Sequence, residues 1–153
     1  MLDFAAPETV RGTLEYLESR FGIARERFDA FTFFESGSAV WIFAASPHAA
    51  ELGALKLEAA GVPLIRRKKR GLKPTTAGLR IVGHWATRNV IDLGADDAVS
   101  FLSRRTIAGR YETDGGFVIV RAGGEVLGCG LVSAKGLESQ IPADLALAEA
   151  PEP

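Results

Sequence analysis

Phe117-Val118-Ile119-Val120-Arg121, a turn across Gly123-Gly124, and Val126-Leu127-Gly128-Cys129-Gly130-Leu131-Val132 form the most strand-like stretch of the chain. β-Branched and aromatic side chains suit a pleated backbone, and paired glycines supply the positive φ angles of a tight turn. The stretch predicts a β-hairpin. Gly128 and Gly130 stand two apart, so one side of the second strand is left bare for close approach by a short helix or a flat ligand. Cys129 between them reads as a small apolar core side chain rather than a nucleophile.

Working outward, Asn89-Val90-Ile91-Asp92-Leu93 reads as a strand, and Asp96 or Asp97 starts a short helix carrying Val99, Phe101 and Leu102. Thr75 or Thr76 is placed to cap a helix running through His84-Trp85. Gly71 and the Lys73-Pro74 pair mark a break, because a residue before proline is pushed out of helical geometry. Before the break, Leu64-Ile65 reads as a strand with a charged outer end. Ser46-Pro47 opens a helix carrying Leu52, Leu55 and Ala59, ended by Gly61 and Pro63. Phe31 to Glu35 and Ala39 to Phe43 form a second hairpin around Ser36-Gly37-Ser38. Pro7 and Glu8 open a helix whose apolar positions Val10, Leu14, Leu17 and Phe21 recur at spacings of three and four, stopped by Gly22. The pattern is that of an α+β protein, with a break near residue 71 and a flexible tail over 143–153.

The composition narrows the function. With 153 residues, 47% apolar and 24% charged, the chain is of globular type. One cysteine and two histidines, His48 and His84, exclude disulfide and zinc scaffolds. No apolar run approaches the roughly 18 residues of a bilayer span. The N-terminus lacks a basic segment followed by an apolar one, so a cytoplasmic protein without membrane contact is expected. Charge is uneven along the chain. Residues 1–58 hold five basic and nine acidic side chains, and residues 92–153 hold five and ten. Residues 59–91 hold Arg66, Arg67, Lys68, Lys69, Arg70, Lys73, Arg80 and Arg88 and no acid. Cations gathered on one strip repel one another unless phosphates or counterions neutralise them, which points to a polyanion.

Catalytic motifs fail on inspection. Val90 to Asp96 resembles the first methyl-donor motif of Rossmann methyltransferases, but Asp96 and Asp97 stand where close approach of a cofactor requires glycine. Neither histidine has a neighbouring motif that would activate it, and the adjacent Asp96 and Asp97 point apart. No catalytic residue, metal or cofactor is expected. The aromatic residues Phe31, Phe33, Phe34, Trp41 and Phe43 are needed mainly for the core. Trp85, beside His84, Arg88 and Asn89, is the best candidate for an exposed ring that stacks on a base, with Asn89 supplying a base-edge amide.

Lys73-Pro74-Thr75-Thr76, Asn89 to Leu93, Gly116 to Val120, Leu127-Gly128-Cys129-Gly130 and Leu137-Glu138-Ser139-Gln140-Ile141-Pro142 together resemble PUA domains. The closest likeness is to the PUA-like C-terminal domain of RsmF-type and Sun-type RNA cytosine methyltransferases. Residues 1–70 resemble the α/β pre-PUA module that precedes such a domain in a large-subunit assembly factor. The resemblance implies an N-terminal α/β pre-PUA-like domain over 1–70 and a PUA-like β pseudo-barrel over 71–142. It further implies RNA binding without catalysis, since the methyltransferase domain and its second cysteine have no counterpart here. Glu138 departs from what an RNA-facing segment would carry.

These readings converge on a non-catalytic RNA-binding protein acting on structured rRNA or tRNA in ribosome biogenesis or RNA modification. The expected contacts are Arg66, Arg67, Lys68, Lys69, Arg70, Lys73 and Arg88 on phosphates, with Trp85 and Asn89 on bases. The alternative is a protein-interaction adaptor for an RNA-modifying enzyme or an assembly factor, an RNA methyltransferase being one expected partner.

Overall fold

The computed structural model describes residues 3–44 and 61–147. The helix expected from Ser46 to Ala59, with His48, lies outside them. Two five-stranded sheets make up the described fold, which is of the α+β type expected. The first runs β1 (Asp3–Phe4), β2 (Phe31–Ser36), β3 (Ala39–Ala44), β4 (Val62–Lys68) and β5 (Gly71–Pro74) in spatial order, antiparallel throughout. The second contains β6 (Val90–Asp92), β7 (Thr106–Ile107), β8 (Gly116–Ala122), β9 (Glu125–Ser133) and β10 (Gly136–Ser139) in the order β6-β8-β9-β10-β7.

The helix α1 (Pro7–Phe21) starts at a proline, where a missing N–H costs nothing, and buries Leu17 and Phe21 completely. Gly22 ends it in the left-handed region at φ 66°, its N–H bonded to the Glu18 carbonyl. α2 (Thr76–Val82) is capped by the Thr75 hydroxyl, which accepts from the Gly78 N–H at 2.9 Å. A 3-10 turn over Gly83–Trp85 continues it. α3 (Ala95–Leu102) carries Asp96 and Asp97 in its first turn, where carboxylates favour the positive end of the helix.

The β8–β9 hairpin of the opening stretch divides two cores. Ile119 and Cys129 face a core that includes Leu17, Phe21, Leu64, Ile65, Leu79 and Val82. Val118 and Val120 face another, with Ile91, Phe101, Leu137 and Ile141. Both faces of the strand are covered, and so Val118, Ile119 and Val120 form an unbroken apolar run instead of an alternation. Each large side chain so buried contributes about 1.5–3 kcal/mol.

α2 packs against both β4 and β9 and so joins the sheets. Small residues permit this. A Cβ on Gly78 would lie 2.8 Å from the Leu64 Cα, and one on Gly128 would lie 2.7 Å from the Thr76 methyl and 2.6 Å from Ile141. The bare side of Gly128 is therefore filled by the short helix and not by a ligand. The Thr76 hydroxyl accepts from the Cys129 N–H at 3.1 Å, which closes the contact.

Four strands were not visible in the sequence. β1 and β7 have two residues each, β5 ends in proline and β10 begins with glycine. β5 pairs with β4, so Gly71–Pro74 belongs to the first sheet. Most pairings in the second sheet are antiparallel. β6, however, pairs with β8 in parallel, Val90 opposite Ile119, with α3 in the connection between them.

Candidate nucleic-acid interface

Strand alternation sorts the basic residues before any partner is considered. On β4, Leu64, Arg66 and Lys68 share one face, while Ile65 and Arg67 share the other. Leu64 and Ile65 are both fully buried because α2 covers one face of the strand and α1 the other. Beyond them both faces reach solvent and become charged. Arg66 lies directly opposite Lys73 on β5, so Arg66, Lys68 and Lys73 stand together on the α2 side. Lys69 and Arg70 form the exposed turn.

Arg67 points the other way, toward α1, and is neutralised within the protein. Its guanidinium lies 4.0 Å from Glu35 and donates to the Gly37 carbonyl at 2.8 Å. The Glu35 carboxyl is held below its ordinary range, chiefly by the Ala6 N–H, which donates to it at 3.1 Å, then by the Thr9 hydroxyl and by Arg67. Among the described residues no carboxylate forms an ion pair with Arg66, Lys68, Lys69 or Arg70.

A cleft of about 380 Å³ opens between the hairpin and the second sheet. Arg66, Lys68 and Lys73 line one side, and Gln140, Pro142, Asp144 and Leu145 the other. The start of α2 lies between the two sides. Lys73 crosses the cleft: its ammonium donates to the Gln140 side-chain oxygen at 2.9 Å and lies 5.6 Å from the centre of the Phe117 ring. The cleft thus takes one wall from each sheet. Gln140, Pro142 and Asp144 were not singled out as site residues from sequence, although Gln140 and Pro142 stand in the Ser-Gln-Ile-Pro segment that carried the resemblance. Glu138, the acid that looked out of place there, does not line the cleft.

The remaining expected contacts lie elsewhere. Arg88 is exposed and donates to the Glu18 carbonyl at 2.8 Å, near the last turn of α1, whereas Arg67 lines a hollow with Glu8 and Thr9 at its first turn. The ten residues from Glu8 to Glu18 span about 15 Å. Trp85 was expected to be an exposed stacking ring. It is half-buried, edge-on to Phe28 and Phe31, with the Arg27 guanidinium 5.7 Å from its ring centre. His84, not Trp85, is the exposed member of that pair.

The base contact expected of Asn89 is not open to it. Its residue is 8% exposed, with φ 55°, and its amide is committed inside the protein. The amide nitrogen donates to the Arg20 carbonyl at 2.7 Å and to Asp114 at 3.3 Å, and the amide oxygen accepts from the Asp114 N–H at 3.0 Å. Asn89 ties the end of α1 to the start of β6, a positioning role that a short polar side chain in the left-handed region can fill.

Other chemistry is sparse. Burial pushes the Cys129 thiol up to about 12, so it stays protonated and inert at neutral pH. Among the described residues no group of three His, Cys, Asp or Glu side chains comes together to hold a metal ion. Nor is any described helix long and apolar enough to cross a membrane.

Residues 5–59 match a family of unknown function (DUF7122). No curated protein matches the chain. Residues 88–147, which include β6 to β10 and the Gln140 to Leu145 wall of the cleft, match the family described as the methyltransferase RsmF PUA domain, so this part of the chain is PUA-like and resembles that domain.

Proposed function

We propose that this protein binds structured rRNA or tRNA without catalysis of its own, during ribosome biogenesis or RNA modification in the cytoplasm. One observation carries the reading: Arg66, Lys68 and Lys73 stand on a single face of a hairpin and line a cleft whose opposite wall belongs to the PUA-like domain. In this reading residues 1–70 are a pre-PUA-like module that presents the cations of β4 and its turn, and residues 71–142, whose first strand adds Lys73, are the RNA-binding domain they serve. Phosphates lie along Arg66, Lys68, Lys69, Arg70 and Lys73. Arg67, paired with Glu35 on the other face of the strand, stands apart from this track. Arg88 touches the backbone farther along α1, and the edge of Trp85 borders that end. Recognition is by the shape of the RNA and its unpaired segments, because the deep major groove of A-form RNA denies side chains the base edges. A methyltransferase or an assembly factor is the protein partner that suits an RNA-binding role of this kind.

Affinity measured against salt tests the proposal. Five neutralised phosphates give a log-log slope of about −3.5 to −4.5. A slope near zero, with salt-insensitive binding to a protein partner instead, would replace the RNA reading with that of an adaptor.

A further inference from the structure

We infer that the cleft beside the basic hairpin takes one unstacked nucleobase bearing an exocyclic amine, with Asp144 as the acceptor of that amine. The inference deepens the RNA reading and rests on it. A track for phosphates alone would be all cationic or neutral, because a carboxylate beside the ligand repels it. This cleft instead carries Asp144 opposite Arg66, Lys68 and Lys73, and among the described residues Asp144 has no ion-pair partner. A carboxylate can only accept, and a ribonucleotide meets it with either the ribose 2′-hydroxyl or an N–H group of the base; the donor beside it at Gln140 selects the base.

The other lining groups suit the same occupant. Pro63, Pro74, Pro142 and Leu145 give apolar surface for a ring, and Leu145 is 38% exposed. Gln140 has a fixed orientation: Lys73 can only donate, so the oxygen of the amide must face it and the NH2 group must face away. One of those N–H groups has a long contact of 3.4 Å to the Ser139 carbonyl, which leaves the other as a donor. A donor at Gln140 and an acceptor at Asp144 match a base edge that presents a ring acceptor beside an amine, as cytosine and adenine do. Uracil presents a carbonyl where the amine would be. The volume is at the small end of the range of about 300–1,000 Å³ for small-molecule sites, enough for one splayed base. Arg66 and Lys68, both exposed, are placed to hold the flanking phosphates.

The test compares oligocytidine with oligouridine of equal length, on the native chain and on Asp144→Asn, which turns one acceptor oxygen into a donor. The native chain should prefer the cytidine strand by about tenfold, the discrimination of one good base contact. In D144N the preference should fall to near one or reverse, while the salt slope stays unchanged. An equal cytidine-to-uridine ratio in the native chain and in D144N overturns the inference and leaves the RNA reading intact. If neither strand binds with a salt slope, it is the RNA reading that fails. Titration with free cytidine monophosphate then decides the cleft: binding abolished by D144N keeps it as a nucleotide site, and no binding overturns it as well.

Discussion

Lys73 and Gln140 are hydrogen-bonded at 2.9 Å across the cleft, joining the last strand of the first sheet to the segment that follows β10. The same ammonium lies against the face of Phe117, so it is held in place before any ligand arrives. Lys73→Met keeps an unbranched apolar stem, one atom shorter, and removes the charge. Its binding curve against salt should flatten by about 0.7–0.9 in slope, the share of one phosphate. Gln140→Ala, which leaves the charge in place, should not change the slope. Fluorescence anisotropy over a salt series reads both.

The exposed turn offers a larger change without touching the core. Replacing Lys68, Lys69 and Arg70 with alanine should flatten the slope by about 2.1–2.7. Surface changes of this kind shift stability by about 0.5 kcal/mol or less each, so the thermal midpoint serves as the control. Arg67→Ala should change the slope by much less than one phosphate, because Arg67 is already paired with Glu35.

Asn89 should behave in the opposite way. Asn89→Ala strands the Arg20 carbonyl and the Asp114 N–H and places a Cβ-bearing residue without a local hydrogen bond at φ 55°. Left-handed backbone costs about 1–2 kcal/mol and an unmet buried group about 1–3. A loss of about 2–4 kcal/mol in urea denaturation is expected, with the salt slope of RNA binding retained under native conditions.

Cys129 makes stability fall in alkali. Its folded thiol titrates near 12, whereas an unfolded cysteine ionises at about 8.5. Between those values the unfolded chain has lost a proton that the folded chain keeps, so the unfolded state is favoured by about 1.4 kcal/mol per pH unit. Tyr16, raised by burial to about 12, adds a second such loss above about pH 10. Urea midpoints of the native chain should therefore decline from about pH 9. In Cys129→Ala the decline should begin only near pH 10.

The sequence was most informative where a local rule has one outcome. Pro7 and Gly22 bound α1, Thr75 caps α2, and Gly123-Gly124 turns the β8–β9 hairpin, each through contacts within a few residues. β5 and β10 escaped because four-residue strands with a proline or glycine carry no period to read and are held only by their neighbours. The basic run was plain, but its division was not. That Arg67 turns to Glu35 while Arg66 and Lys68 face the cleft follows from the register of β4 on β3 and β5, which no local pattern states. Asp144 was hidden for the same reason, since its importance comes from cations about seventy residues earlier. Asn89 and Trp85 were misread because burial depends on the distant residues Arg20, Asp114, Phe28 and Phe31.

Ile119 and Cys129 look away from their own sheet's second core and into the one that holds Leu17, Leu64 and Leu79. A genetic exchange that replaced either half with an unrelated partner would leave that shared apolar surface uncovered. Each half therefore keeps part of the other's apolar surface out of water, and neither is complete as a folding unit alone.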